Sequence, residues 1–261
     1  MGYETILASK ADGIAIITLN RPEVLNAMNF QLVTELDQAI TDAEEDDDVR
    51  AVILTGTGGR AFTAGGDIHE QREDARKLAS GEMSHEDDEA RRLIRSQCSW
   101  HVAACQKPVI GAMNGLAYGG GSVLASSLDM RVGCERSSFR FLAAAYGRLN
   151  CTWTLPQQVG WPIAKELLFT GRVVEAEEAY RIGLLNHLVP TEKLMDKAME
   201  IATTIAKNHP DSVRGVKHLL IEDIGLRWQE MWERERTYLS TQVRSPHVEQ
   251  AFKEFIQRRG R

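Results

Sequence analysis

The chain has 261 residues, 43% of them hydrophobic and 26% charged, with 31 Lys and Arg against 37 Asp and Glu for a formal net charge of −6 at pH 7. That length buries a substantial core, and the acidic balance gives no overall pull toward nucleic acid or an anionic membrane, so an anionic ligand needs a local basic pocket. No apolar run approaches the roughly 20 residues of a membrane span, the opening MGYETILASKADG lacks a signal-peptide pattern, and Cys98, Cys105, Cys134 and Cys151 have no disulfide-scaffold spacing, which together predict a cytoplasmic protein with reduced thiols.

In chain order, GIAIITL (13–19) alternates and is rich in β-branched residues, which predicts a strand ending at the turn Asn20–Arg21–Pro22. Leu32, Val33, Leu36 and Ile40 recur at helical spacing with acidic residues outside, which predicts a helix over 30–45. AVILTG (51–56) reads as a buried strand opening into the glycine-rich loop GTGGRAFTAGGD. The charged stretch 68–105 reads as a surface excursion whose first half is mobile. Within it Cys98, His101 and Cys105 share a helix face. Because Leu93, Ile94 and Val102 continue the same apolar stripe and no second pair has zinc-site spacing, the face reads as core, and no metal is expected.

PVIGAMN (108–114) predicts the next strand, Gly119–Gly120–Gly121 opens a short helix, and DMRVGCE and SSFRF read as two further strands. Beyond Leu155 the pattern turns helical. One helix over 163–170 stops at Gly171 and another over 175–182 stops at Gly183. A short strand over 184–189 ends at Pro190, and helices fill 191–207, 212–221, 226–243 and 248–258. The expected class is α/β, with a core over 1–190 and a helical region over 191–261.

Two strand-to-loop junctions, after Thr55 and after Asn114, are dense in glycine. Glycine there admits positive φ and lets a ligand approach main-chain N–H groups closely. Gly56, Gly58 and Ala61 formally match a dinucleotide fingerprint, but Phe62-Thr63-Ala64-Gly65-Gly66 is a poor helix start, and no G-K-[ST] closes either loop as a phosphate loop requires. The remaining specific reading is an oxyanion hole in which amides of Gly66 and of the triplet converge on one carbonyl oxygen.

RPEVLNAM (21–28), AFTAGGDIHE (61–70), KPVIGAMNGLAYGGGSVLASSLDMRV (107–132) and LLFTGRVVEAEEAYRIGLLNHLVP (167–190) resemble the crotonase (enoyl-CoA hydratase/isomerase) superfamily, in the right order and over essentially the whole chain. The resemblance implies a spiral of ββα units with an all-helical C-terminal tail that assists oligomerisation and covers the site. It further implies a homotrimer or dimer of trimers, and an acyl thioester of coenzyme A as substrate with no bound cofactor. The family's paired amides fall on Gly66 and Gly120. Main chain around Val24, Leu25, Ala64, Asp67 and Ile68 would line the CoA cleft, and Lys253, with Arg258, Arg259 and Arg261, would meet its phosphates. Asp129 reads as structural, while His69 and Glu70 read as a solvated helix face.

The pattern departs from the family's hydratases at both catalytic glutamates, whose positions are Val123 and Ala143 here, and no Asp or Glu occurs from Arg136 to Lys165. Acid–base catalysis needs a titratable group within hydrogen-bond reach of the moving proton, and neither residue supplies one. The expectation is therefore enolate chemistry of a lyase, isomerase or decarboxylase type in place of efficient hydration. Polar candidates near the site are Tyr118, Ser122, Tyr146, Arg148, Asn150, Cys151 and Thr152, with Tyr146 and Asn150 preferred. Trp228, Met231, Trp232 and Tyr238 read as helix packing. Two alternatives stand beside this: a non-catalytic acyl-CoA binder, and a hydratase or isomerase using an unrecognised acid/base.

Overall fold

A computed structural model describes residues 2–244. The larger sheet orders its strands β1 (Ile6–Ala11), β2 (Ile14–Leu19), β3 (Ala51–Gly56), β5 (Val109–Met113), β7 (Met130–Gly133) and β10 (His187–Leu188); all neighbours are parallel except β1 and β2. A smaller sheet runs β4 (Ala61–Thr63), β6 (Leu116–Tyr118), β8 (Ser138–Arg140) and β9 (Val173–Glu175). Consecutive strands alternate between the sheets: β3 then β4, β5 then β6, β7 then β8. Each such pair is followed by helix, and this is the ββα spiral of a crotonase-like fold.

The large sheet is covered on both faces, which is why β3 reads as the unbroken apolar run Ala51-Val52-Ile53-Leu54. On one face Val52 and Leu54 join Leu32, Val33, Leu36 and Ile40 of α1 (Phe30–Glu45) with Cys98 and Val102 of α3 (His85–Ala104). On the other, Ile14, Ala51, Ile53, Ile110 and Val132 meet Leu194, Ala198 and Ala202 of α8 (Leu194–Ala206). That packing carries the first compact unit to Lys207, because α8 closes a sheet face.

The second unit begins at Asn208 and within the described residues holds α9 (Pro210–Glu222) and α10 (Trp228–Gln242). Gly215 of α9 admits the Tyr238 ring of α10, which also lies 5.3 Å from the His218 ring, and Arg234 Nε donates to Asp223 Oδ1 at 2.6 Å. Tyr238 is thus a packing residue. The remaining helices are α2 (Ile68–Ser80), α4 (Gly120–Ser126), α5 (Leu155–Val159), α6 (Trp161–Thr170) and α7 (Ala176–Arg181).

The stretch 68–105 differs from expectation. It is two ordered helices joined at Gly81, whose φ of 77° ends α2, and Ser84 caps α3 through the Asp87 N–H. Cys98 and Cys105 are buried; His101 Nδ1 lies 2.6 Å from Asp37 Oδ1 and ties α3 to α1. Among the described residues no three His, Cys, Asp or Glu side chains group as metal ligands, and no helix is long and apolar enough to cross a membrane.

Candidate functional site

The first loop of the site starts where Pro22–Val24 makes a single helical turn and Leu25 and Asn26 adopt left-handed φ of 55° and 54°. The buried Asn26 side chain holds this shape, accepting from Arg21 N at 2.9 Å and donating to Thr57 O and Ala61 O at 3.0 and 3.1 Å. The chain then runs beside the second glycine loop. Ala64 N donates to Leu25 O, Met28 N to Gly65 O and Asp67 N to Met28 O, at 2.9, 2.7 and 3.0 Å.

This ladder orients Gly66. Its neighbours make both bonds of the Met28–Gly66 bridge, so the Gly66 N–H faces away from Met28's strand edge. Gly120 lies close by. A methyl placed on Gly120 would stand 3.2 Å from Gly66 N, and one placed on Gly65 would stand 2.7 Å from Gly120 N. Gly65 itself has φ of 91°, and any side chain there would meet Tyr118 O at 2.5 Å, so only glycine fits. Gly120 is the first residue of α4, where helix N–H groups lack intrahelical acceptors. Among the described residues, neither the Gly66 nor the Gly120 N–H meets an acceptor. Two unpartnered amides from separate loops therefore lie side by side.

Val123, one turn into α4, is half-buried and packs against the main core, and Ala143 is buried at the start of a short turn. The polar candidates divide clearly. Ser122 Oγ is committed to Ala117 O and accepts from Arg140 N at 3.0 Å, and the Tyr118 hydroxyl lies 3.3 Å from Ser138 Oγ. Tyr146 is 69% exposed, and Arg148 and Thr152 are exposed as well. Asn150 is half-buried, with a buried Oδ1 that meets no donor among the described residues. Cys151 is buried beside Ser126 at 3.5 Å with φ of 56°; burial pushes its thiol up to about 11, which leaves no thiolate for nucleophilic attack. Asp129 is structural, with its carboxylate accepting from Val109 N at 2.7 Å.

Of the residues expected along a CoA cleft, Val24 and Ile68 are exposed, Leu25 and Ala64 are half-buried, and Asp67 is buried. Lys253 lies outside the described residues, as do Arg258, Arg259 and Arg261. Asp67 caps α2 by accepting from His69 N and Glu70 N, and pairs with Arg21 Nη1 at 2.9 Å. Burial alone would raise its carboxyl, but the Arg21 hydrogen bond and charge, with the two amides, hold it below the usual carboxylate range. A depressed folded-state pKa contributes stability above the unfolded value and loses it as pH falls through the folded one. Asp67→Asn should therefore cost about 1–2 kcal/mol at neutral pH, and the difference from wild type should narrow as the pH is taken below the ordinary Asp value of about 3.9 and through the depressed folded one. Urea melts at neutral and at low pH check this; an equal gap at both would refute it.

His69 is exposed, but Glu70 is no solvated face: it accepts from Phe30 N at 2.7 Å and from Arg95 Nη2 at 2.8 Å. Sequence reasoning missed Arg21, Arg91 and Arg95, whose acidic partners are 17 to 46 positions away. The only local signal was Asp67-Ile-His-Glu70, the spacing of a capped helix start.

The enoyl-CoA hydratase/isomerase family profile matches residues 9–261. A short-chain-enoyl-CoA hydratase of Clostridium acetobutylicum is 36% identical over 221 residues, covering 82% of this chain and 80% of that protein. A crotonyl-CoA hydratase of Syntrophomonas wolfei is 35% identical over 217 residues, with 82% and 80% covered. The crystal structure of an enoyl-CoA hydratase from Bacillus anthracis superposes with a TM-score of 0.88 at 29% identity, over 98% of this chain and 97% of that one.

Proposed function

The chain belongs to the enoyl-CoA hydratase/isomerase family, and from that premise we propose that it stabilises a thioester enolate between the Gly66 and Gly120 amides without the carboxylate pair that hydration uses. Acyl-CoA processing follows from the family; the particular step is our reading. The observation that supports it is the side-by-side placement of two unpartnered amides beside Val123, with Ala143 at the second expected acid/base position. The carboxylates nearest in sequence to the Gly66 amide are already committed: Asp67 to Arg21, Glu73 to Arg76, and Glu70 and Asp74 to Arg91 and Arg95.

A reaction that needs amides and no base is decarboxylation of a malonyl-type thioester. The Cα–carboxylate bond breaks, CO2 leaves, and its electron pair becomes the enolate whose oxygen the amides hold. A proton then returns to Cα. Asn150, with a half-buried amide, is the side chain this reading sets against the leaving carboxylate, and Tyr146 is the proton source it assigns. Val24, Leu25, Ala64 and Ile68 line the CoA cleft, Lys253 meets its phosphates, and the assembly is a homotrimer or dimer of trimers.

Mass spectrometry of enoyl-, malonyl-type, 3-hydroxyacyl, cyclic and aryl thioesters of CoA after incubation with the protein tests this. Loss of CO2, or an isomerised product without added water, is the expected result. Rapid hydration of crotonyl-CoA would overturn it and require a carboxylate not recognised here. Binding of every thioester with no product would favour a binder over an enzyme.

A further inference from the structure

Helix α2 docks without a hydrophobic face. Its one buried residue is Asp74, and Ile68, the first aliphatic side chain on it, is 66% exposed. Surface helices ordinarily gain their stability from packing an apolar stripe, so something else holds this one.

That something is charge. Glu70 Oε2 accepts from Arg95 Nη2 at 2.8 Å, and the same Nη2 reaches Asp74 Oδ2 at 2.7 Å. Arg91 Nη2 stands 3.4 Å from both Glu70 Oε1 and Asp74 Oδ1. The Arg91 guanidinium also lies over the Phe30 ring, 4.2 Å from its centroid. These four charged side chains are only 7–26% exposed, so solvent screens them far less than surface pairs.

Gly66 lies two residues before this helix. Three hydrogen bonds stitch 65–70 to 28–30: Met28 N to Gly65 O, Asp67 N to Met28 O, and Phe30 N to Glu70 Oε2. The third comes from a side chain, and Arg95 orients that side chain. We propose that Glu70, Asp74, Arg91 and Arg95 form a charge clamp that positions the Gly66 amide, so that electrostatic docking of α2 governs the geometry of the oxyanion site. This rests on reading Gly66 and Gly120 as the donors. The four are positioning residues, touching no reacting atom. Their leverage comes from the steep dependence of such sites on placement, where a shift of about 1 Å can cost roughly a hundredfold.

The test uses acetoacetyl-CoA, whose enolate has its own ultraviolet band, titrated at one pH into wild type, Glu70→Gln, Asp74→Asn and Gly66→Pro, with melting temperatures alongside. Wild type should enrich the enolate of the bound thioester, and Gly66→Pro should abolish the enrichment. Glu70→Gln and Asp74→Asn should reduce it roughly tenfold, with melting shifted by only a few degrees. Arg95→Lys, which keeps the charge and loses the planar fork, should fall between them and wild type, and serves if a carboxamide variant folds poorly. A merely structural role would move melting and leave the band alone; that outcome, with Gly66→Pro still deficient, overturns the clamp and spares the donors. No enrichment by wild type overturns the donor reading and the clamp with it.

Discussion

Gly120→Ala, which keeps the amide but crowds it, is expected to lower turnover of whichever acyl-CoA the protein converts by about a hundredfold, the order expected when reacting groups are displaced by about 1 Å. The added methyl would lie 3.2 Å from Gly66 N, 3.1 Å from Met28 Cε and 3.5 Å from Gly65 Cα, in the space between the two amides. The loss thus falls on the site, since no buried apolar group is deleted. Gly66→Ala is the matching control. A methyl at Gly66 meets only the end of the Gln71 side chain, which can swing away, and Gly66 is not in the positive-φ region. The same chemical change should therefore be nearly silent at one donor and severe at the other. Steady-state kinetics on both variants decide it: equal losses, or a Gly120→Ala enzyme retaining a third or more of wild-type turnover, would refute the assignment.

Val123→Glu combined with Ala143→Glu is expected to create crotonyl-CoA hydration that wild type performs poorly, with a gain in the range of about 10²–10⁴ typical of general acid–base groups. Val123 is half-buried one turn past Gly120 and packs against the core, so a carboxylate there stands near the amides at the cost of some apolar contact. Ala143 is 9% exposed, so a glutamate there is partly desolvated. Its pKa should rise, which suits an acid, at a stability cost of about 1–3 kcal/mol. Each single variant should give a small part of the gain, because a water must be both oriented and deprotonated. A wild-type rate already equal to that of the double variant would show that the absent glutamates are replaced elsewhere.

The parts of the fold legible without coordinates were those whose burial is written in local periodicity. β2, β3 and β5 carry β-branched or unbroken apolar runs because both faces of the large sheet are covered. α1 shows its stripe because Leu32, Leu36 and Ile40 all face one core. By contrast β1 buries only Ile6 along ILASKA, and β4, β6 and β9 have three residues each, too short for any period to register. The order of α2 is not legible for an equally physical reason: ion pairs to a helix 17 to 25 residues away leave no apolar pattern on the helix they hold.

The site divides in the same way. Residue identity alone placed glycines at 65, 66 and 119–121, and the order of four motifs pointed to the family. Composition also excluded a carboxylate between Arg136 and Lys165, which no folding can supply from that segment. Only the tertiary structure decided that the Gly66 N–H turns from Met28 with Gly120 close by, that Ser122 is occupied while Asn150 Oδ1 meets no donor among the described residues, and that Glu70 is ion-paired. The physical reason is that an amide's direction depends on what its neighbours bond, and a charge's availability on what it already faces. Both are relations between segments distant in the chain, so neither is carried by the local pattern that reveals a strand or a helix.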